Sequence, residues 1–280
     1  MINPLTFSTL ACPQWSVETI VHNAVAYGYD GVEWRGGPDG HIKPSSSKKD
    51  RVVLRNAMQV AGLMSLGITA YSSFVSEDPT ERQKNTDELC RYADLAAEIG
   101  AGHVRAFLGE LPAGVLPPPQ MFAQMAKCLL EVADYAHSLG VTIAIEPHDN
   151  FVRSSSVVPV LQQAPHPALK VIWDVGNTYA AGESPLEGYS VLGDRLAYVH
   201  LKDGWGRGDD WRLGPVGAGE VPLSEIVEFL LKNGFTGALN VEWEWAWHPE
   251  LDPPEIALPH AAKMIRVLRV KQTAPEIIPS

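Results

Sequence analysis

Short apolar runs rich in β-branched residues alternate along the chain with longer stretches in which apolar residues recur every three to four positions. The short runs predict strands and the longer ones helices. Strands are expected at about 4–9, 30–35, 68–74, 102–108, 141–147, 170–175, 196–202 and 238–244. Helices are expected at about 16–27, 49–66, 79–99, 118–139, 155–164, 184–192, 222–233 and 254–270. Gly67, Gly100 and Gly140 each close a helical pattern shortly before a strand, where a left-handed cap is wanted. Asp78-Pro79 and Val221-Pro222 stand where helices can begin.

Eight strand–helix pairs imply parallel strands joined by helical crossovers. The expected fold is α/β, a single (β/α)8 TIM barrel over residues 1–273 with a short C-terminal tail over 274–280. An open doubly wound sheet is the alternative. Against it, the first strand is followed by Thr9-Leu10-Ala11-Cys12-Pro13 and not by a GxGxxG turn.

Alternation along a strand sends every second side chain to one face. In the last strand this groups Asn240, Glu242 and Glu244 against Val241, Trp243 and Trp245; in the seventh it groups Tyr198, His200 and Lys202. The sixth groups Ile172 with Asp174 and the fifth Thr142, Ala144 and Glu146. The fourth groups His103, Arg105 and Phe107, and the second Gly31, Glu33 and Arg35. The polar members fall at the C-terminal strand ends, where barrel enzymes carry their chemistry. Glu146, Asp174, His200 and Glu242 come from four successive strands. Three close carboxylates repel one another unless a cation joins them, so a divalent metal is expected. Three oxygens and one imidazole suit manganese, magnesium or cobalt, with zinc also compatible. Each residue has a plainer reading: a strand-end Asp174 can cap the next helix, and His200 can be a satisfied core histidine. Glu33 and Arg35 can pair with each other or touch substrate, and Arg105 can pair with Glu146 or Glu33.

The formal charge of −11 disfavours phosphate backbones and anionic lipid, so neither nucleic acid nor a membrane is an expected partner. Cys12, Cys90 and Cys128 form no CxxC pair, and Met1 to Leu5 lacks a signal-peptide pattern; a cytoplasmic location is expected. No P-loop appears. The segment Gly214-Pro215-Val216-Gly217-Ala218-Gly219 has no basic residue, although its backbone amides are candidates to hold an anion. Trp15, Trp34, Trp205 and Trp211 are candidates for stacking on a sugar or for covering a pocket.

Several short motifs appear in order: Phe7-Ser8-Thr9-Leu10-Ala11-Cys12-Pro13, Gly28-Tyr29-Asp30-Gly31-Val32-Glu33-Trp34-Arg35, Ile145-Glu146-Pro147-His148, Trp173-Asp174-Val175-Gly176-Asn177, His200-Leu201-Lys202-Asp203 and Val241-Glu242. On these the chain resembles the xylose isomerase-like sugar isomerase/epimerase barrels. That group includes ketose 3-epimerases, hydroxypyruvate isomerases, inosose-type dehydratases and apurinic endonucleases. The resemblance implies that Glu146, Asp174, His200 and Glu242 ligate one divalent ion, and that Glu146 and Glu242 flank the bound sugar. It implies a substrate-hydroxyl contact at His148 and contacts to substrate oxygens at Lys202 and Arg35. His103, Arg105 and Asn177 join the candidate substrate-binding set. Asn177 stands where the endonuclease and epimerase branches carry His, and the loop 204–214 has no His, so a three-metal site is not expected. The substrate implied is a small carbohydrate, and self-association as a homo-oligomer is common in the group.

The chemistry expected is proton transfer beside a carbonyl through an enediolate, with Glu146 and Glu242 as the acid/base pair. Return of the proton to the opposite face gives an epimerase, and return to the neighbouring carbon gives an isomerase. Loss of a β-hydroxyl instead gives a dehydratase or lyase acting on a keto-sugar, keto-inositol or 3-keto-glycoside. Lys202 is the leading cation for a developing oxyanion.

Overall fold

A computed structural model describes residues 3–273. Eight parallel strands close into a barrel in the order β1 (Leu5–Ser8), β10 (Leu239–Val241), β7 (Leu196–Leu201), β6 (Leu169–Asp174), β5 (Thr142–Ile145), β4 (His103–Ala106), β3 (Met64–Thr69) and β2 (Gly31–Arg35). The tail expected over 274–280 lies outside the described residues. The two remaining strands, β8 (Asp203–Trp205) and β9 (Arg212–Gly214), form an antiparallel hairpin above β7 in the stretch read as a plain loop.

The helices form where capping chemistry and apolar period coincide. In α3 (Pro79–Ile99) Asp78 caps the first turn by accepting from Thr80 N at 2.8 Å, Pro79 supplies a pre-set φ, and Gly100 closes the helix at φ +76°. The helix α2 (Lys48–Val60) starts on a Ser47–Asp50 capping box but stops six residues short of the expected end. Its left-handed stop is Gly62 at φ +68°, not Gly67. Gly67 lies inside β3, which therefore begins at Met64 and not at 68. Two candidate glycine stops flank Leu63 to Leu66, and the helical period of these apolar residues favoured the wrong one.

Apolar burial separates into two layers. The large one lies between strands and helices and contains Phe7, Trp34, Leu129 and Trp173. The small one fills the barrel floor with Leu66, Ala144, Ile172, Tyr198 and Ala238. This split fixes the facing of β6 and β7: Ile172 and Tyr198 point inward, so Asp174 and His200, two residues further on, point inward at the mouth. Register then sets their height, since His200 pairs with Asp174 on one side and Asn240 on the other.

Candidate metal centre and active site

Four strand ends converge. Ligand atoms of Glu146, Asp174, His200 and Glu242 all lie within 4.8 Å of one another, and all four side chains are buried. Two oxygen ligands on opposite sides of a divalent ion, each about 2.3 Å away, stand about 4.6 Å apart. The donor set therefore fits one ion with shifts of a few tenths of an ångström. The ladder of β10 ends at Val241, so Glu242 lies just past it, tied by its N–H to Leu201 O at 3.1 Å. Asp174 carries both of its readings: Oδ1 accepts from Asn177 N at 2.8 Å, capping the short helix α6 (Val175–Ala180), while Oδ2 faces the cluster. That helix has no counterpart in the sequence pattern, because six residues are too few to show a period.

His200 is clamped from both ring nitrogens. Nδ1 lies 3.1 Å from Glu146 Oε1 and 3.4 Å from Glu242 Oε1, and Nε2 lies 3.0 Å from Glu33 Oε1. Glu33 is itself buried and accepts from Tyr198 Oη at 2.7 Å and Asn240 Nδ2 at 3.1 Å. Carboxylates face both ring nitrogens, so with an ion in the cluster Nε2–H would donate to Glu33 and Nδ1 would be the atom offered to the ion. Glu33 forms no ion pair with Arg35.

Two cations hold the carboxylates. Arg105 Nη1 lies 2.9 Å from Glu146 Oε2 and 3.7 Å from Glu242 Oε1. Lys202 Nζ lies 2.8 Å from both Asp174 Oδ2 and Glu242 Oε2 and also contacts Glu244. It donates to Asn177 Oδ1 at 3.3 Å as well. Burial favours the neutral form of each carboxyl, yet Arg105 and His200 hold Glu146 below the usual range, and His200 and Lys202 hold Glu242 well below it. For Asp174 burial prevails over Lys202, and its pKa rises to about 6. Burial opposes protonation of His200, but Glu242, Glu33 and Glu146 outweigh it and raise its pKa well above the free value.

The other expected contacts are spread over the mouth. His148 Nδ1 lies 2.8 Å from Asp149 Oδ1 and its ring packs on Phe107 at 4.5 Å. His148, Asn177 and Trp211 line a cavity of about 320 Å³ beside the cluster. His103 sits two residues deeper than Arg105, packed on Tyr198 at 5.2 Å, and burial lowers its pKa to about 4. Arg35 is buried under the Trp247 ring at 4.5 Å. Trp34 is buried in the outer core layer. Two features lay beyond the sequence reading. Trp247 sits in an aperiodic loop. Asp203, in the His200-to-Asp203 motif, accepts from Gly217 N at 2.8 Å, Gly219 N at 3.1 Å, Gly204 N at 2.8 Å and Val221 N at 3.2 Å. Of the Gly214–Gly219 amides, candidates for an anion, those of Gly217 and Gly219 are thus directed at a carboxylate of the chain itself.

A family model described as "Xylose isomerase-like TIM barrel" matches residues 21–268. The chain belongs to that family. It is 26% identical over 237 residues to a fructoselysine 3-epimerase of Escherichia coli O157:H7, covering 81% of this chain and 85% of that one. It is 26% identical over 205 residues to a 3-dehydroshikimate dehydratase of Pseudomonas putida, covering 67% of this chain and 31% of that one. A solved L-ribulose 3-epimerase superposes with a TM-score of 0.81 at 15% identity over 99% of this chain and 100% of that one.

Proposed function

We propose that the chain is a divalent-metal-dependent sugar isomerase or epimerase acting through an enediolate, with Glu146 and Glu242 as the acid/base pair. The observation that carries this reading is the pair itself: two buried carboxylates from different strands, each reaching both His200 Nδ1 and Arg105 Nη1. Binding alone does not call for two such groups. The 3-epimerase relatives support the class.

Glu146, Asp174, His200 and Glu242 would hold the ion, manganese by preference with magnesium, cobalt or zinc compatible. When bound, the ion supplies polarisation of a carbonyl and its neighbouring hydroxyl, acidifying the adjacent C–H. One of Glu146 and Glu242 takes that proton, and the electron pair moves onto the carbonyl oxygen as an enediolate. The second carboxylate, on the other side of the sugar, takes up a proton from solvent and passes it to the opposite face, while the first releases its proton to solvent. Carboxylates held at low pKa are weak bases, which matches a strongly acidified C–H. Arg105 and Lys202 fix the rotamers of both. His148, Asn177 and Trp211 border the cavity through which the sugar reaches the centre.

A second reading keeps the same site. The dehydratase relative, and Asn177 in place of a branch histidine, favour elimination of a β-hydroxyl from the enediolate. Glu146→Gln and Glu242→Gln test the pair. Each should lower turnover about 10²–10⁴-fold, the contribution of positioned proton transfer, while some metal remains bound. Full activity in either variant would sink the mechanism.

A further inference from the structure

The chain buries three Lys or Arg side chains among the described residues: Arg35, Arg105 and Lys202. Arg105 and Lys202 are surrounded by carboxylates. Arg35 is not. It is 7% exposed, its Nε has no hydrogen-bond partner, and it forms no ion pair among the described residues. The Trp247 ring lies 4.5 Å from the guanidinium carbon, and the other side chain the guanidinium acts on is His41, whose protonation burial and then this charge disfavour. The terminal nitrogens of Arg35 keep some solvent contact, but a guanidinium this buried beside no anion is costly, and stacking on a ring repays only part of that cost.

Where Arg35 stands gives the missing anion its place. Glu33 and Arg35 share the inward face of β2, and Glu33 already touches His200. Arg35 lies two residues, about 6.6 Å, further up the strand, at the mouth. In the ring of eight strands β2 stands four steps from β6, directly across the mouth from Asp174. The metal centre thus occupies the β5–β6–β7–β10 wall and Arg35 the wall facing it. Trp247 reaches Arg35 from the segment after β10, which crosses β1 through Ala246 N donating to Leu10 O at 3.1 Å.

We infer that Arg35 and Trp247 form a subsite for a carboxylate on the substrate, so that the enzyme acts on an acidic keto-sugar and not on a neutral ketose. This rests on the isomerase/epimerase reading for the chemistry at the other end of the molecule. A planar carboxylate matches the two-pronged edge of a guanidinium. A phosphate dianion calls for more donors, and the amides of Gly36, Gly37 and Gly40 that follow Arg35 already donate to Thr69 O, Tyr92 Oη and Gly37 O. The substrate is accordingly bipolar, with a carbonyl and hydroxyl at the metal wall and an acid group at β2.

The test compares D-gluconate, D-glucitol and D-glucitol 6-phosphate, titrated calorimetrically into the manganese-loaded protein. Gluconate should bind about 10–100-fold more tightly than glucitol, and more tightly than the phosphate. In Arg35→Gln the gluconate advantage should fall to within about threefold, with glucitol binding and metal affinity unchanged. Trp247 is 53% exposed, so Trp247→Ala guards against a misfolded Arg35 variant and should lose about 3–10-fold in gluconate affinity alone. Equal or undetectable binding of the three ligands overturns the inference, as does an advantage that survives Arg35→Gln, which assigns the carboxylate to the metal. A preference for the phosphate overturns the carboxylate assignment. None of these readings depends on turnover, so an inactive protein that keeps an Arg35-dependent gluconate preference refutes the isomerase reading and leaves this one standing.

Discussion

Glu33→Gln isolates the charge that orients His200. Glu33 Oε1 accepts from Tyr198 Oη and His200 Nε2, and Oε2 accepts from Asn240 Nδ2. In the variant the new amide can keep Oε1 in place. Its nitrogen then faces Asn240, whose amide can flip, because Thr6 Oγ1, 2.7 Å from Asn240 Oδ1, can accept as well as donate. Geometry survives and only the negative charge is lost. Three bonds lose their charged partner, each weaker by about 1–1.5 kcal/mol. The relieved burial of a carboxylate offsets part of this, leaving metal-free protein destabilised by about 1–2 kcal/mol. Nε2–H loses its anionic partner, so metal affinity should fall about 10–100-fold, roughly 1.4–2.7 kcal/mol. Urea unfolding of metal-free protein and calorimetric manganese titration measure the two separately. Wild-type metal affinity in Glu33→Gln would refute the assignment of Nδ1 as the ligand atom oriented by Glu33. Glu33→Ala, by contrast, leaves three buried donors unpaired at about 1–3 kcal/mol each and should fail to fold stably.

His200→Ala should lower bound manganese after dialysis against trace metal, and unchanged metal content would remove His200 from the ligand set. Because the folded chain raises the His200 pKa well above 6.5, the imidazolium stabilises metal-free protein fully below that value, and its contribution is lost as pH rises. Metal-free melting temperature should therefore fall as pH is raised above 6.5, a trend that His200→Ala should flatten. Asp174 has the same sign: its carboxyl, raised to about 6 by burial, favours the folded state when protonated, and that contribution is lost between the free value of 3.8 and about 6. Manganese binding at pH 7 should release about one proton, from His200, read from the buffer dependence of the binding enthalpy; no release would contradict coordination through a neutral Nδ1.

The candidate ligands were legible because a strand repeats every two residues. Once Ile172 and Tyr198 are placed in the barrel floor, Asp174 and His200 follow on the same face, and Asn240 points to Glu242 in the same way. The third strand was misplaced because Leu63 to Leu66 continue the apolar period of α2, and only the left-handed turn at Gly62 breaks it. The supporting contacts left no local trace. Glu33 and Tyr198 are 165 positions apart in sequence, and Trp247 lies in a loop whose side chains follow no period. Asp149, at φ +50°, is the one non-glycine residue with positive φ among those described, and it holds His148 from a turn that spacing alone cannot reveal. Composition likewise counts Arg35, Arg105 and Lys202 alike, although two face carboxylates and one does not.

Proton exchange tests the central claim most directly. Manganese-loaded and metal-free protein would each be incubated in heavy water with neutral ketoses, acidic keto-sugars, keto-inositols and 3-keto-glycosides, with manganese stripped before NMR spectra are taken. The account predicts metal-dependent loss of the proton beside the carbonyl, abolished in Glu146→Gln and Glu242→Gln. Product formation without any solvent exchange, in protein shown to bind the metal, would indicate direct hydride movement and contradict the two-carboxylate mechanism.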